Sequence, residues 1–149
     1  MEARLVYGVN LVDIDVESII RAAKLGRSRK DAQVDTCSAF AAALYDVLMR
    51  NGVEAQVITA SATWAHGAQS WAHSLVKVGS KYYDSLGEFS EEIWRKRNRI
   101  HATVESDVRY SAEPREDCFD EEHSDFHASY YKALESSISL NPDHHGMAL

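Results

Sequence analysis

The sequence predicts an α+β fold in which helices pack against an antiparallel β-sheet. Two segments with helical periodicity come first, period-two stretches joined by tight turns follow, and further helical segments close the chain. The strand–helix alternation that accompanies parallel sheets is missing. The 149 residues fit one domain, which we place at residues 1–140 with its core at about 30–90, followed by a flexible tail at 141–149.

Apolar residues recur at helical spacing in two segments near the start of the chain. The first carries Val16, Ile19, Ile20 and Ala23, with Asp13 or Asp15 as its N-cap and Gly26 at its C-terminal end. The second follows a cap at Asp35 or Thr36 and ends at Asn51-Gly52, and its apolar stripe consists of Phe40, Ala41, Leu44, Val47 and Leu48.

The middle of the chain has the period of β-strands. Residues 53–59 alternate, 61–70 are predicted as a loop, and 71–78 with 81–86 form a hairpin around Gly79-Ser80, after which Gly87 ends the second strand. Beyond it, 90–99 predicts a short helix, 101–110 a further strand, 113–125 an acidic loop, and a last helix starts at Ser124 or Asp125.

Charge is spread unevenly along the chain. Residues 1–99 hold 13 basic and 12 acidic side chains, whereas residues 100–149 hold 3 and 11, and the whole chain has a net charge of −7. This balance argues against partners such as nucleic acid or an anionic membrane surface. The acidic third is interpreted as a solvated face, with a docking surface for another protein as the alternative.

The cysteine count and the terminal sequence indicate a reducing compartment. Cys37 and Cys118 are too few for a disulfide scaffold. The first residues lack the apolar stretch of a secretory signal, and no apolar run approaches the ~18 residues that span a bilayer. We therefore expect a cytoplasmic protein with free thiols.

Two of the residues that could carry chemistry are Cys37 and His73. Cys37 falls in the first turn of the second helix, where unpaired N–H groups and the positive end of the helix dipole stabilise a thiolate. His73 begins an apolar strand, an uncommon place for an imidazole unless its nitrogens are held. As alternatives, Cys37 is a small apolar residue at the edge of the core, and His73 is a buried histidine bonded to a carbonyl.

Asp84 completes a set of three. The hairpin turn predicts partners whose numbers sum to about 159, so Asp84 lies opposite residue 75 and diagonal to His73, within side-chain reach. Alternatively, Asp84 begins a turn at the end of its strand. Acyl transfer from an amide needs an ionised nucleophile, a base beside it and a group that fixes the tautomer of the base. The backbone N–H of Cys37 would help to bind the oxyanion.

These residues and their flanks resemble the core of transglutaminase-like cysteine hydrolases, which belong to the papain-like superfamily. The matching segments are 35–44, 52–57, 73–78 and 81–84: a helix beginning at cysteine, a strand after a glycine, a histidine-led strand before a glycine turn, and an aromatic residue before the aspartate. The resemblance covers about residues 30–90.

The resemblance implies a papain-like core with a Cys37, His73 and Asp84 triad, and a hydrolase or acyltransferase that acts on peptide or protein amides. We expect no cofactor, and the net charge already argues against nucleic acid and membrane partners. Catalytically inactive members of this superfamily also exist, so an interaction module that uses the acidic C-terminal third is the alternative.

Four further residues are candidates for the oxyanion or substrate site. Gln33 lies four residues before Cys37, and papain-like enzymes often place a glutamine there to donate to the oxyanion. His66 competes with His73 as the base, and Trp64 and Trp71 could line an apolar cleft beside the thiol. A surface-loop glutamine and two core tryptophans are the plainer interpretations.

A metal site is a separate hypothesis. The segment 118–127 contains seven side chains that can ligate metals: Cys118, Asp120, Glu121, Glu122, His123, Asp125 and His127. It lacks the spacing of a known zinc motif, and a solvated acidic loop is the competing interpretation.

Overall fold

The computed structural model describes residues 15–25, 37–119 and 121–140, and these form an α+β structure with a five-stranded antiparallel sheet and four helices. The helices are α1 (Val16–Ala23), α2 (Cys37–Arg50), α3 (Glu91–Arg97) and α4 (Ser124–Leu140). The strands are β1 (Gln56–Trp64), β2 (Gln69–Val78), β3 (Lys81–Asp84), β4 (Gly87–Phe89) and β5 (Ser106–Ala112). Two 3₁₀ turns, Arg115–Asp117 and Glu121–His123, precede α4.

The sheet separates two hydrophobic cores. Its strand order is β4-β3-β2-β1-β5, and successive side chains point to opposite faces. Val76 belongs to the core that we call the helical core, which α1, α2 and α4 form with one face. Leu75 belongs to the core on the other face, which we call the aromatic core and which contains Phe89 and Trp94. His73 has the parity of Leu75, so it faces the aromatic core.

Helix α2 is the centre of the helical core. The predicted stripe is confirmed, since Phe40, Leu44 and Leu48 are all buried and the Phe40 ring packs edge-on against Tyr130 of α4 at 6.1 Å. Burial of each such side chain contributes about 1.5–3 kcal/mol, which fixes the helix against the sheet. The helix ends before the predicted Asn51-Gly52 turn. The predicted caps Asp35 and Thr36 lie outside the described residues.

Helix α1 confirms one predicted cap and corrects the other end. The Asp15 carboxylate accepts a hydrogen bond from the Ser18 N–H at 3.3 Å. Lys24, with φ of 56°, supplies the left-handed residue that the sequence assigned to Gly26. The alternative cap Asp13 and Gly26 itself lie outside the described residues. Glu17 of this helix accepts the Glu88 N–H at 2.9 Å and so covers the edge strand β4.

The long β1–β2 hairpin corrects the predicted loop at 61–70. Strand β1 continues to Trp64 and β2 begins at Gln69, because alternate side chains of both strands keep filling the aromatic core. The turn between them places Ala65 and His66 at positive φ, a conformation that the sequence does not signal.

Further boundaries also differ from the prediction. Gly87 begins β4 rather than ending a strand, and β5 starts at Ser106 rather than at residue 101. The predicted helix at 90–99 is confirmed as α3, with Ser90 as its cap, and the last helix begins at Ser124 as predicted. The tail at 141–149 lies outside the described residues. Within the described ranges, no helix has both the length and the apolar character to span a bilayer.

Candidate active site

Cys37 is the first residue of α2 and is partly buried. The first four N–H groups of an α-helix have no partner within the helix, and the dipole gives this end a partial positive charge. The sulfur therefore lies where a negative charge is favoured. The backbone N–H of Cys37 is one of these first four groups, and a donor to an oxyanion must come from such a group.

The predicted hairpin register is confirmed, and it brings His73 and Asp84 together. Val76 pairs with Tyr83 and Val78 with Lys81, so the partners sum to 159. The Nε2 atom of His73 lies 3.1 Å from Oδ2 of Asp84, and both side chains are buried. With Nε2 on the carboxylate, Nδ1 is the ring nitrogen left for the thiol.

Cys37 and His73 belong to elements that lie on opposite faces of the sheet. Helix α2 packs on the helical-core face, whereas His73 faces the aromatic core. Even so, the pKa of the Cys37 thiol is lowered by hydrogen bonding and charge from His73 and by hydrogen bonding from Ser74. His73 and Ser74 lie on the part of β2 that precedes its pairing with β3.

Ser74 also ties the strand to the helix. Its hydroxyl lies 2.9 Å from that of Ser38, the second residue of α2. Because Ser38 is adjacent to Cys37, this contact fixes the helix start against β2. The sulfur is thereby held at a constant position relative to the His73 ring.

Arg97 is a fourth member of the site, and the sequence analysis missed it. Its Nη1 lies 2.7 Å from Oδ2 of Asp84 and its Nη2 lies 3.3 Å from Oδ1. The Leu86 N–H donates to Oδ1 at 2.9 Å. The only signal in the sequence was the basic run at the end of the predicted short helix, which also serves the helix dipole.

The electrostatics of these groups favour a thiolate–imidazolium pair. Burial raises the pKa of Cys37, but the hydrogen bond and charge of His73, with the Ser74 contacts, outweigh burial and lower it below the usual value. Burial lowers the pKa of His73, but the hydrogen bonds to Asp84 and Cys37 raise it to about 9. Burial raises the pKa of Asp84, but His73 and Arg97 lower it to about 2. Near neutral pH, His73 is therefore protonated and Asp84 is ionised, and the lowered pKa of Cys37 favours its thiolate.

The aromatic core packs against the imidazole of His73. The Trp71 ring lies 5.2 Å from the His73 ring and stacks on Phe89 at 5.8 Å. Trp71 therefore packs against His73, and its place in a cleft beside the thiol stays a prediction. Trp64 instead packs edge-on against Trp94 at 5.2 Å, one ring further from His73.

Two other predicted residues are not brought to this site. His66 is exposed in the β1–β2 turn, and no hydrogen bond or ring contact given for the described residues joins it to Cys37, His73 or Asp84. The hairpin register places His73, and not His66, within reach of Asp84. Gln33 lies outside the described residues.

The described members of the predicted metal cluster at 118–127 do not come together as a metal site. Among the described residues, no group of three or more His, Cys, Asp or Glu side chains could hold a metal ion. Cys118 is buried and donates to the Pro114 carbonyl at 3.8 Å, while His127 lies 2.8 Å from Oδ2 of Asp46 on α2. Asp120 lies outside the described residues.

Comparison of the chain with family models, curated proteins and solved structures gives no match. The arguments for function therefore come from the geometry of the site and the chemistry of its residues.

Proposed function

We propose that this chain is a cysteine hydrolase or acyltransferase that acts on amide bonds, built on a papain-like core of the transglutaminase-like type. One observation carries the proposal: the pKa of a thiol at a helix start is lowered by an imidazole, and Nε2 of that imidazole lies 3.1 Å from a buried carboxylate. This is the nucleophile, base and orienting group of acyl transfer, in that order.

In the proposed reaction, the Cys37 thiolate attacks the carbonyl carbon of an amide and forms a tetrahedral intermediate with a negative oxygen. The backbone N–H of Cys37 donates to that oxygen. The His73 imidazolium gives its proton to the leaving nitrogen, the C–N bond breaks, and an amine or ammonia departs from the acyl-enzyme. Water or a second amine then gives its proton to neutral His73 and attacks the thioester, which releases the acyl group and regenerates the thiolate.

Asp84 keeps the imidazole in the productive orientation throughout this cycle. Its hydrogen bond to Nε2 leaves Nδ1 to exchange the proton with the sulfur and the substrate. A thiolate needs a reducing environment, and we therefore propose that the enzyme works in the cytoplasm.

The test compares the alkylation of the two cysteines by iodoacetamide at pH 6.5, followed by peptide mass spectrometry. Cys118 is the internal control, because burial and Glu113 raise its pKa to about 11. At pH 6.5, fewer than one in ~10⁴ of the Cys118 thiols are therefore ionised. A less basic thiolate is a weaker nucleophile, which offsets about half of this advantage in logarithmic units. We expect Cys37 to react roughly 100-fold faster than Cys118.

Equal, slow labelling of both thiols in the folded protein would contradict the proposal and favour the alternative, an inactive interaction module that binds through its acidic C-terminal third. The Cys118→Ser variant, with Cys37 intact, is expected to keep the fast labelling.

The reaction type is tested with casein as the amide substrate. Shortened peptides indicate a peptidase, ammonia release indicates a deamidase, and incorporation of an added fluorescent amine indicates transfer. The Cys37→Ala variant is expected to abolish whichever product appears. A product that persists in this variant would contradict the assignment of the nucleophile.

A further inference from the structure

The Asp84 carboxylate contacts two positively charged side chains, those of His73 and Arg97. Its Oδ2 is shared between His73 Nε2 at 3.1 Å and Arg97 Nη1 at 2.7 Å, while Oδ1 accepts from the Leu86 N–H at 2.9 Å and lies 3.3 Å from Arg97 Nη2. The arginine contact is the shorter of the two on Oδ2. Asp84 therefore does not belong to His73 alone, as the aspartate of an isolated Cys-His-Asp triad would.

Arg97 is held in place by the packing of its helix. α3 starts with a Ser90 cap and buries Trp94 in the aromatic core. On its outer side, Arg95 donates to Ser106 at 2.6 Å and to the His101 carbonyl at 2.7 Å. The side chain of Arg97 is 25% exposed, so its charge acts through a largely protein environment.

The charges around the imidazole come from three elements. Asp84 of β3 and Cys37 of α2 contact His73 and favour its protonated form. Arg97 of α3 contacts Asp84 and carries a permanent positive charge that opposes a second cation on the same carboxylate. An imidazolium that is held too strongly cannot release its proton to a leaving amine, so this opposition has a use in the proposed reaction.

We propose that Arg97 is a positioning residue of this site: it fixes the plane of the Asp84 carboxylate and limits how tightly His73 holds its proton. The inference rests on the proposed function for its catalytic meaning, but its physical effect on His73 is independent of catalysis. Two contacts of a planar fork fix the carboxylate in a way that a single ammonium does not.

The test is an NMR titration of the His73 ring, whose signals are assigned by their loss in the His73→Gln variant. Arg97→Gln and Arg97→Met both remove the charge, and we expect each to raise the His73 pKa by about one unit, the lower end of the effect of a neighbouring charge. Arg97→Lys keeps the charge, so its His73 pKa is expected to stay within about 0.3 units of the unaltered chain.

Arg95→Gln is the matched control. It removes the same charge from the same helix, but Arg95 contacts Ser106 and His101 instead of Asp84. We expect no resolved change in the His73 pKa. An unchanged or lowered His73 pKa in folded Arg97→Gln or Arg97→Met would overturn the proposal, and so would an equal rise in Arg95→Gln, because the effect would then be a long-range one.

The same titration in the Cys37→Ser background separates this inference from the proposed function. A rise on loss of Arg97 there, together with slow alkylation of Cys37 in the unaltered chain, would retain the role of Arg97 and reject the enzyme. Fast alkylation without any rise would do the reverse.

Discussion

The chain holds two aspartates that are each clamped between a histidine and an arginine. The site cluster consists of Asp84, His73 and Arg97 beside Cys37. The brace cluster consists of Asp46, His127 and Arg115, which join α2, α4 and the first 3₁₀ turn, and Cys118 lies nearby. In each cluster, Nε2 of the histidine and a guanidinium nitrogen meet the same carboxylate oxygen.

Burial distinguishes the two clusters. The side chains of Asp84 and His73 are 1% and 3% exposed, whereas those of Asp46 and His127 are 25% and 21% exposed. Burial raises the pKa of Asp46 too, and its hydrogen bonds to Arg115 and His127 lower it overall, but water screens these partners. The same three residue types therefore interact more strongly in the site cluster.

The two clusters also differ in the contacts of their histidine rings and in the pKa of the nearby thiol. His127 stacks on Phe119 at 5.0 Å, whereas the His73 ring hydrogen-bonds the Cys37 thiol. The brace cluster leaves the Cys118 pKa raised, while the site cluster lowers that of Cys37. An aspartate held between a histidine and an arginine is associated with a lowered thiol pKa only in the cluster whose histidine contacts the thiol and is buried.

The largest expected difference between the two clusters is the unfolding free energy that is lost when the aspartate of each is removed. Asp84→Ala leaves Arg97 and protonated His73 without their buried counter-ion, which typically costs about 3–5 kcal/mol of unfolding free energy. Asp46→Ala breaks a partly solvated network and is expected to cost about 1 kcal/mol. Urea unfolding at pH 7 measures both values. Equal losses would mean that burial does not distinguish the clusters.

Removal of each histidine tests the link to the thiol. In His73→Gln, burial still opposes ionisation of Cys37 but its imidazole partner is gone, so the rate of iodoacetamide labelling at pH 6.5 is expected to fall by roughly 100-fold. His127→Gln is the matched control and should change the rate less than about twofold, because its ring partners are Asp46 and Phe119. A large fall in the control would show that the brace holds α2 in its reactive position.

The smallest expected effect is the loss, at acid pH, of the unfolding free energy that Asp84 contributes. The pKa of Asp84 lies at about 2, below the unfolded value of 3.8, so its contribution to stability is complete above pH 3.8 and is lost as the pH falls through 2. The gap in unfolding free energy between the unaltered chain and Asp84→Asn should therefore narrow as the pH falls from 4 towards 2. Urea midpoints at a series of pH values measure it, and a gap that widens would contradict the assigned direction.

The relation of His73 to Asp84 could be predicted because it is local. A two-residue turn at Gly79-Ser80 fixes the register of its hairpin, and register alone places Asp84 diagonal to His73. The position of Cys37 at a helix start followed from the apolar stripe behind it. These features depend on spacing within a short stretch of chain, which the sequence displays directly.

Arg97 and the long β1–β2 hairpin could not be predicted for the opposite reason. The contact of Arg97 with Asp84 depends on how α3 docks, and Trp94 sets that docking by packing against residues distant in sequence, Trp64 and Trp71. The hairpin turn uses positive φ at His66 and also at Ala65, a residue type that does not indicate such a conformation. Tertiary packing decides both.

The sheet has a consequence for when the sulfur becomes reactive. Cys37 is attached to the helical core and His73 faces the aromatic core, so the pair exists only while both halves of the molecule are assembled on the same strand. If either half opens, His73 no longer acts on the helix start, and the influence that lowers the pKa of Cys37 is lost. The reactivity proposed for Cys37 therefore depends on the complete fold.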